Sequence, residues 1–108
     1  MSKWKKQEFF ISRVNKENEF VQIQVRGLVN LGIGIAQDVD IHGERLPYDW
    51  GCGVYHLNSG LLILHCRAMY RARQKASVLL ELTDWTADKD TLKSMCDVQK
   101  KVYQLEKS

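Results

Sequence analysis

The side chains best equipped for chemistry in this sequence lie between positions 38 and 75. Cys52, His56, His65 and Cys66 give a Cys-x3-His spacing followed by a His-Cys pair, all residue types that ligate zinc. Structural zinc takes four ligands in a tetrahedron, and each useful pair of ligands sits on one side of a turn. His65 and Cys66 are adjacent, so on a strand they face opposite ways and on a helix they diverge by about 100°. At most one of them can join Cys52 and His56, which allows a three-ligand site with an open position. A buried histidine with two buried thiols explains the same residues more simply, and no metal is expected.

Carboxylates offer a second kind of chemistry. Asp38, Asp40 and His42 share one parity, so an extended strand would aim all three at one face, where they could bind a divalent cation or exchange protons. Val39 and Ile41 account for this more cheaply, because alternation puts them inward and the polar residues in water. Nearby, Asp49-Trp50-Gly51-Cys52-Gly53 resembles the nucleophile neighbourhood of some papain-like cysteine proteases, in which a Cys flanked by Gly and Trp begins a helix. The resemblance covers five residues and implies a nucleophilic role for Cys52. Such enzymes also need a histidine base and an orienting Asn or Asp, typically far downstream, whereas the last histidine here is His65. That family's scaffold does not fit in 108 residues, and no residue is assigned a catalytic role.

Basic residues are the best functional feature. Arg67, Arg71 and Lys75 follow one another at i, i+4, with Arg73 and Tyr70 beside them and no acid between 67 and 75. Guanidinium and ammonium groups neutralise phosphates or carboxylates, and an aromatic ring can stack on a base. The stripe therefore suits an acidic partner or a nucleic acid. No helix-turn-helix, aromatic RNA-binding signature or zinc finger accompanies it, and the net charge is only +3. Residues 38 to 49 carry Asp38, Asp40, Glu44 and Asp49 against Arg45, so opposite charges are segregated along one chain.

The elements that must position these groups follow from periodicity. Apolar residues fall on odd positions at Val21, Ile23, Val25, Val29, Leu31, Ile33, Ile35, Val39 and Ile41, the period of half-buried strands. These odd residues are expected to line the inner face of a sheet roofed by the C-terminal segment. Glu8 to Val14 reads as a further strand, turned into Phe20 by Asn15-Lys16-Glu17-Asn18. Gly32 and Gly34 leave the opposite face bare, where a packed helix is the expected occupant. Residues 42 to 56, with Gly43, Pro47, Gly51 and Gly53, read as a long connection and hence as a ligand-loop candidate through Asp49, Trp50, Cys52 and His56.

Beyond Asn58-Ser59-Gly60 the period lengthens. Leu61, Leu62, His65, Ala68, Met69, Ala72 and Ala76 favour a helix, although Leu62, Leu64 and Cys66 also alternate as a strand would. Ser77 to Thr83 leans to strand. Thr86 or Asp88 can cap a final helix whose apolar stripe runs through Leu92, Met95, Cys96, Val102, Tyr103 and Leu105, interrupted by Gln99.

Residues 1 to 108 thus read as one α+β domain, an antiparallel sheet from the N-terminal half with one or two C-terminal helices packed on one face. Such a domain buries roughly two thirds of its unfolded surface, enough to fold without metal or disulfide, and no cofactor is expected. Three cysteines, an odd and sparse set, fit a reducing cytoplasmic setting, and no apolar run is long enough to cross a bilayer. Binding is favoured over catalysis: a small interaction protein, a homo-oligomer, that holds a protein partner through its charge-segregated surfaces. A nucleic-acid binder using Arg67, Arg71, Arg73 and Lys75, and a small enzyme or ligand-binding protein centred on loop 42–56, are the alternatives.

Overall fold

The computed structural model describes residues 4–39, 44, 51–93 and 96–107. Alternation in the first half of the chain becomes a five-stranded antiparallel meander: β1 Lys5–Val14, β2 Phe20–Asn30, β3 Ile33–Gln37, β4 Cys52–His56 and β5 Leu62–Cys66. Helices α1 Met69–Leu82, α2 Lys89–Lys93 and α3 Cys96–Lys107 follow, so the molecule is α+β with its helices after the sheet. At the first turn the Asn15 side chain accepts the amides of Glu17 and Glu19, the local bonding by which asparagine favours turns.

The odd-numbered aliphatics do not all face one way. Ile33 and Ile35 join Val54, Leu64 and the helices in one core, while Ile23, Val25 and Val29 join Phe9, Ile11, Ala36 and Tyr55 in a second. The connection between β2 and β3 explains the change. It is the two residues Leu31-Gly32, both with positive φ, so Asn30 pairs Ile33 and Val29 pairs Gly34. Odd positions on β2 therefore lie beside even positions on β3, and the inward parity of the aliphatics reverses across that hairpin.

The face away from the helices is covered by the sheet itself. The β1–β2 hairpin curls over β3 and β4, and among the described residues no helix occupies the bare patch at Gly34. A Cβ there would lie 2.8 Å from Phe9 Cζ and 2.7 Å from a Leu57 methyl, so the missing side chain is what lets Phe9 seat. The Phe9 ring meets Tyr55 with centroids 6.3 Å apart. Two hydrogen bonds fasten the curl, from the Ser12 amide to the Gly60 carbonyl at 2.8 Å and from the Ser12 hydroxyl to the Ser59 carbonyl at 2.9 Å.

Residues 62 to 66 are strand, not the start of a helix. Leu64 and Cys66 alternate inward to pair with Val54 and Cys52, and satisfying β4's free side outweighs the helix preference of Leu and Cys's neighbours. Conversely, residues 77 to 82 continue α1, because Ala72, Ala76 and Leu79 complete one helical stripe against the sheet. The Trp85 indole then donates to the Leu79 carbonyl, satisfying one of the acceptors that a helix end leaves open. Asp88 caps α2 by accepting the Thr91 amide at 2.8 Å. The final apolar stripe runs through Leu92, Val98, Val102 and Leu105, whereas Tyr103 and Gln99 are exposed. Met95 lies outside the described residues. Along β5's outer edge, α3 supplies Glu106, whose carboxylate accepts the His65 amide at 3.3 Å and blunts an otherwise open strand edge.

Candidate functional site

The strand-to-helix bend after β5 carries Arg67, and α1 presents Arg71 and Lys75 one turn apart on the flank of its buried Ala72–Ala76 stripe. With His65, Cys66 and Glu106 these three cations line one depression of about 370 Å³. The acid in this group is turned to structural use: Glu106 accepts the His65 amide through its carboxylate and the Lys75 ammonium at 3.4 Å through its carbonyl. Tyr70, 62% exposed, stands at the same rim. Arg73, the fourth cation of the stripe, does not line the depression; its carbonyl accepts the Ser77 hydroxyl.

One residue of the acidic segment reaches this border. Asp38 follows β3, and its carboxylate lies 2.7 Å from His65 Nε2, meeting it across β4 where positions 51 and 53 carry no side chain. The carboxylate is mostly buried and the imidazole is 42% exposed, an arrangement that orients the ring. Asp40 and His42, its expected companions, lie outside the described residues.

Two members of the proposed ligand loop belong to a buried strand instead. Cys52 and His56 begin and end β4, both almost inaccessible, while Asp49 and Trp50 lie outside the described residues. Burial, then the neighbouring Cys66 sulfur and the Asp38 carboxylate, push the Cys52 thiol up to about 11, away from the depressed range of reactive cysteines. Burial likewise pushes the Cys66 thiol up, against the pull of Lys75 and Arg71. His56 is bonded at both ring nitrogens, to the Ser59 hydroxyl at 2.8 Å and the Ala87 carbonyl at 2.7 Å. It borders a small cleft of about 140 Å³ between β5 and the last helices, walled by Leu61, Ile63, Leu92 and Val102.

The four-residue His/Cys set divides as alternation requires: Cys52, His56 and Cys66 face the helices, and His65, paired with Gly53, projects from the other face. Sequence reasoning singled out Asp38 and His65 separately and missed their contact, and it missed Glu106. The alternation of Leu62, Leu64 and Cys66 was the available signal, since strand geometry there sends His65 toward Asp38. In comparisons with known proteins, no family model, curated protein or solved structure matches this chain. Among the described residues no helix is long and apolar enough to cross a membrane.

Proposed function

We propose that this chain is a small non-enzymatic binding protein that holds an acidic segment of a protein partner on the shelf formed by Arg67, Arg71 and Lys75. The observation that carries this reading is the convergence of those three cations on one depression in which the one carboxylate among the described lining residues, Glu106, is committed to the β5 edge. Carboxylates entering the shelf would meet two guanidinium forks and an ammonium, a charge-complementary surface that favours rapid, salt-sensitive association. A reducing, cytoplasmic setting belongs to the same reading.

A second reading, single-stranded nucleic acid, is favoured by Tyr70, because an exposed ring beside arginines is a stacking platform for a base. Self-association would use a different surface: Phe10, Val14 and Phe20 stand exposed on the outer face of the β1–β2 hairpin. Sedimentation of the Phe20→Lys variant against the unchanged chain tests that point, and a monomer in both removes it.

The shelf is tested by fluorescence titration with a Glu-rich peptide and, separately, with a single-stranded oligonucleotide. Peptide binding that weakens with salt and falls at least about tenfold in the Arg67→Glu, Arg71→Glu variant supports the protein-partner reading. Tighter binding of the oligonucleotide, lost on Tyr70→Ala, replaces it with the second. Absence of both at low salt overturns the two together.

A further inference from the structure

We propose that Cys52 and Cys66 constitute a reversible redox site, closed into a cross-strand disulfide by a small-molecule disulfide of the oxidised-glutathione class. The sheet register places these two residues directly opposite each other on β4 and β5, with both side chains directed into the helix-covered core. Both are free thiols. The phase of the hydrogen bonds fixes which type of pair they form. Gly51 gives its carbonyl to the Asp38 amide on the β3 side, and His56 exchanges its amide and carbonyl with residues of the β5 side. With a period of two, Cys52 also turns its backbone toward β5, so the Cys52–Cys66 pair is of the hydrogen-bonded kind. Opposed Cα atoms in such pairs are about 5.5 Å apart, within the window that a disulfide spans. The Cβ atoms of a hydrogen-bonded pair stand about 1 Å farther apart than a disulfide allows, so they must draw together, a strain that would favour ready reduction.

Access distinguishes the two thiols. Both are buried, but Cys66, 6% exposed, is among the residues that line the basic depression, whereas Cys52, 2% exposed, is not. Burial holds both thiols mainly protonated, so exchange is slow: Cys66, after losing its proton to water, attacks one sulfur of the small disulfide as the thiolate, forming a mixed disulfide and releasing one small thiol. Cys52, deprotonated in turn, attacks the Cys66 sulfur, closes the Cys52–Cys66 bond and releases the second small thiol. The protein loses two hydrogens and the reagent gains them, so the electrons balance. Closure would tie β4 to β5 beneath α1, next to the shelf but without consuming Arg67, Arg71 or Lys75. The site stands independently of the partner-binding reading.

The test equilibrates the native full chain with reduced and oxidised glutathione, followed by acid quench, alkylation and peptide mapping by mass spectrometry. The expected result is an intramolecular bridge joining the Cys52 and Cys66 peptides, loss of two alkylatable thiols, and full recovery of both on adding reductant. A Cys96→Ala chain isolates the pair; should that variant not fold, mapping of the unsubstituted chain reads the same bridge. Glutathione adducts at single cysteines without the Cys52–Cys66 bridge, or a bridge that forms only after denaturant is added, would overturn the proposal.

Discussion

His56 Nε2 donates to the Ala87 carbonyl 2.7 Å away, tying the end of β4 to the segment that leads into the last helices. A carbonyl only accepts, so this bond puts the proton on Nε2 and leaves Nδ1 to accept from the Ser59 hydroxyl. Ser59 Oγ in turn accepts the Leu61 amide at 3.2 Å, which completes a chain with every polar atom satisfied. Replacing His56 by Ala empties a buried site and strands two partners, and should cost about 2–4 kcal/mol in urea unfolding. Ser59→Ala should cost about 1 kcal/mol. Equal, small losses in both would show that His56 is not the centre of this network.

Gly34 and Phe9 make a second quantitative case. A methyl at position 34 meets the Phe9 ring inside contact distance, so Gly34→Ala should destabilise by about 1–3 kcal/mol through overpacking. Because the clash is shared, Phe9→Leu in the Gly34→Ala background should cost less than it does in the unchanged chain. Strict additivity in that double-mutant cycle would mean that Phe9 does not sit on Gly34.

The Leu31-Gly32 turn predicts a gain. Leu31 is 66% exposed and holds a φ of 47°, a left-handed conformation that leucine resists and asparagine tolerates. Leu31→Asn supplies the Asn-Gly pair preferred in such two-residue hairpins and should raise stability by about 1 kcal/mol. Gly32→Ala should do the reverse, because its φ is 91° and a Cβ there would press on the Trp85 carbonyl. Thermal unfolding of the two variants should move in opposite directions.

Alkaline pH should weaken the fold. The Cys52 thiol is raised from 9.0 to about 11 and the Tyr55 phenol from 10.0 to about 12, each chiefly by burial. In the unfolded chain both groups release protons first, so the unfolded state binds fewer protons and stability falls as pH rises from about 9. Urea midpoints recorded from pH 8 to 11 should decline, and Cys52→Ala should reduce the part of the decline that starts near 9, leaving the share of Cys66, whose thiol burial also raises. A flat profile would show that neither group is buried in its neutral form. The sign is opposite for Asp88, whose carboxyl is held below its ordinary value by the Thr91 amide, so its contribution at the start of α2 fades as pH falls below the carboxylate range.

Periodicity carried the strands through Val29 and the helical stretch through Ala72 and Ala76, because each is set by neighbours in the chain; of the two capping candidates, Thr86 and Asp88, it is Asp88 that accepts the Thr91 amide. Turn length lies outside a parity argument, so reading odd positions as one face failed at Leu31-Gly32, where a two-residue connection reverses them. The alternation in Leu62, Leu64 and Cys66 competed with helix-forming composition, and what decided it was the free side of β4, a partner that sequence does not display. For the same reason the long connection absorbed Cys52 and His56, whose burial in β4 comes from β3 and β5 on either side and from the helical segments packed on that face. The shelf was legible as a basic stripe. Its separation from Arg73, and the engagement of Glu106 from α3, depend on tertiary packing.

The most direct test of the account is a map of amide chemical-shift changes as a Glu-rich peptide is titrated into the labelled chain. Perturbations confined to residues 65–75 and the end of α3 around Glu106, disappearing with salt and in the Arg67→Glu, Arg71→Glu variant, are the predicted result. Perturbations centred on the Phe10–Phe20 face or on the cleft beside His56, with residues 65–75 unmoved, would contradict it.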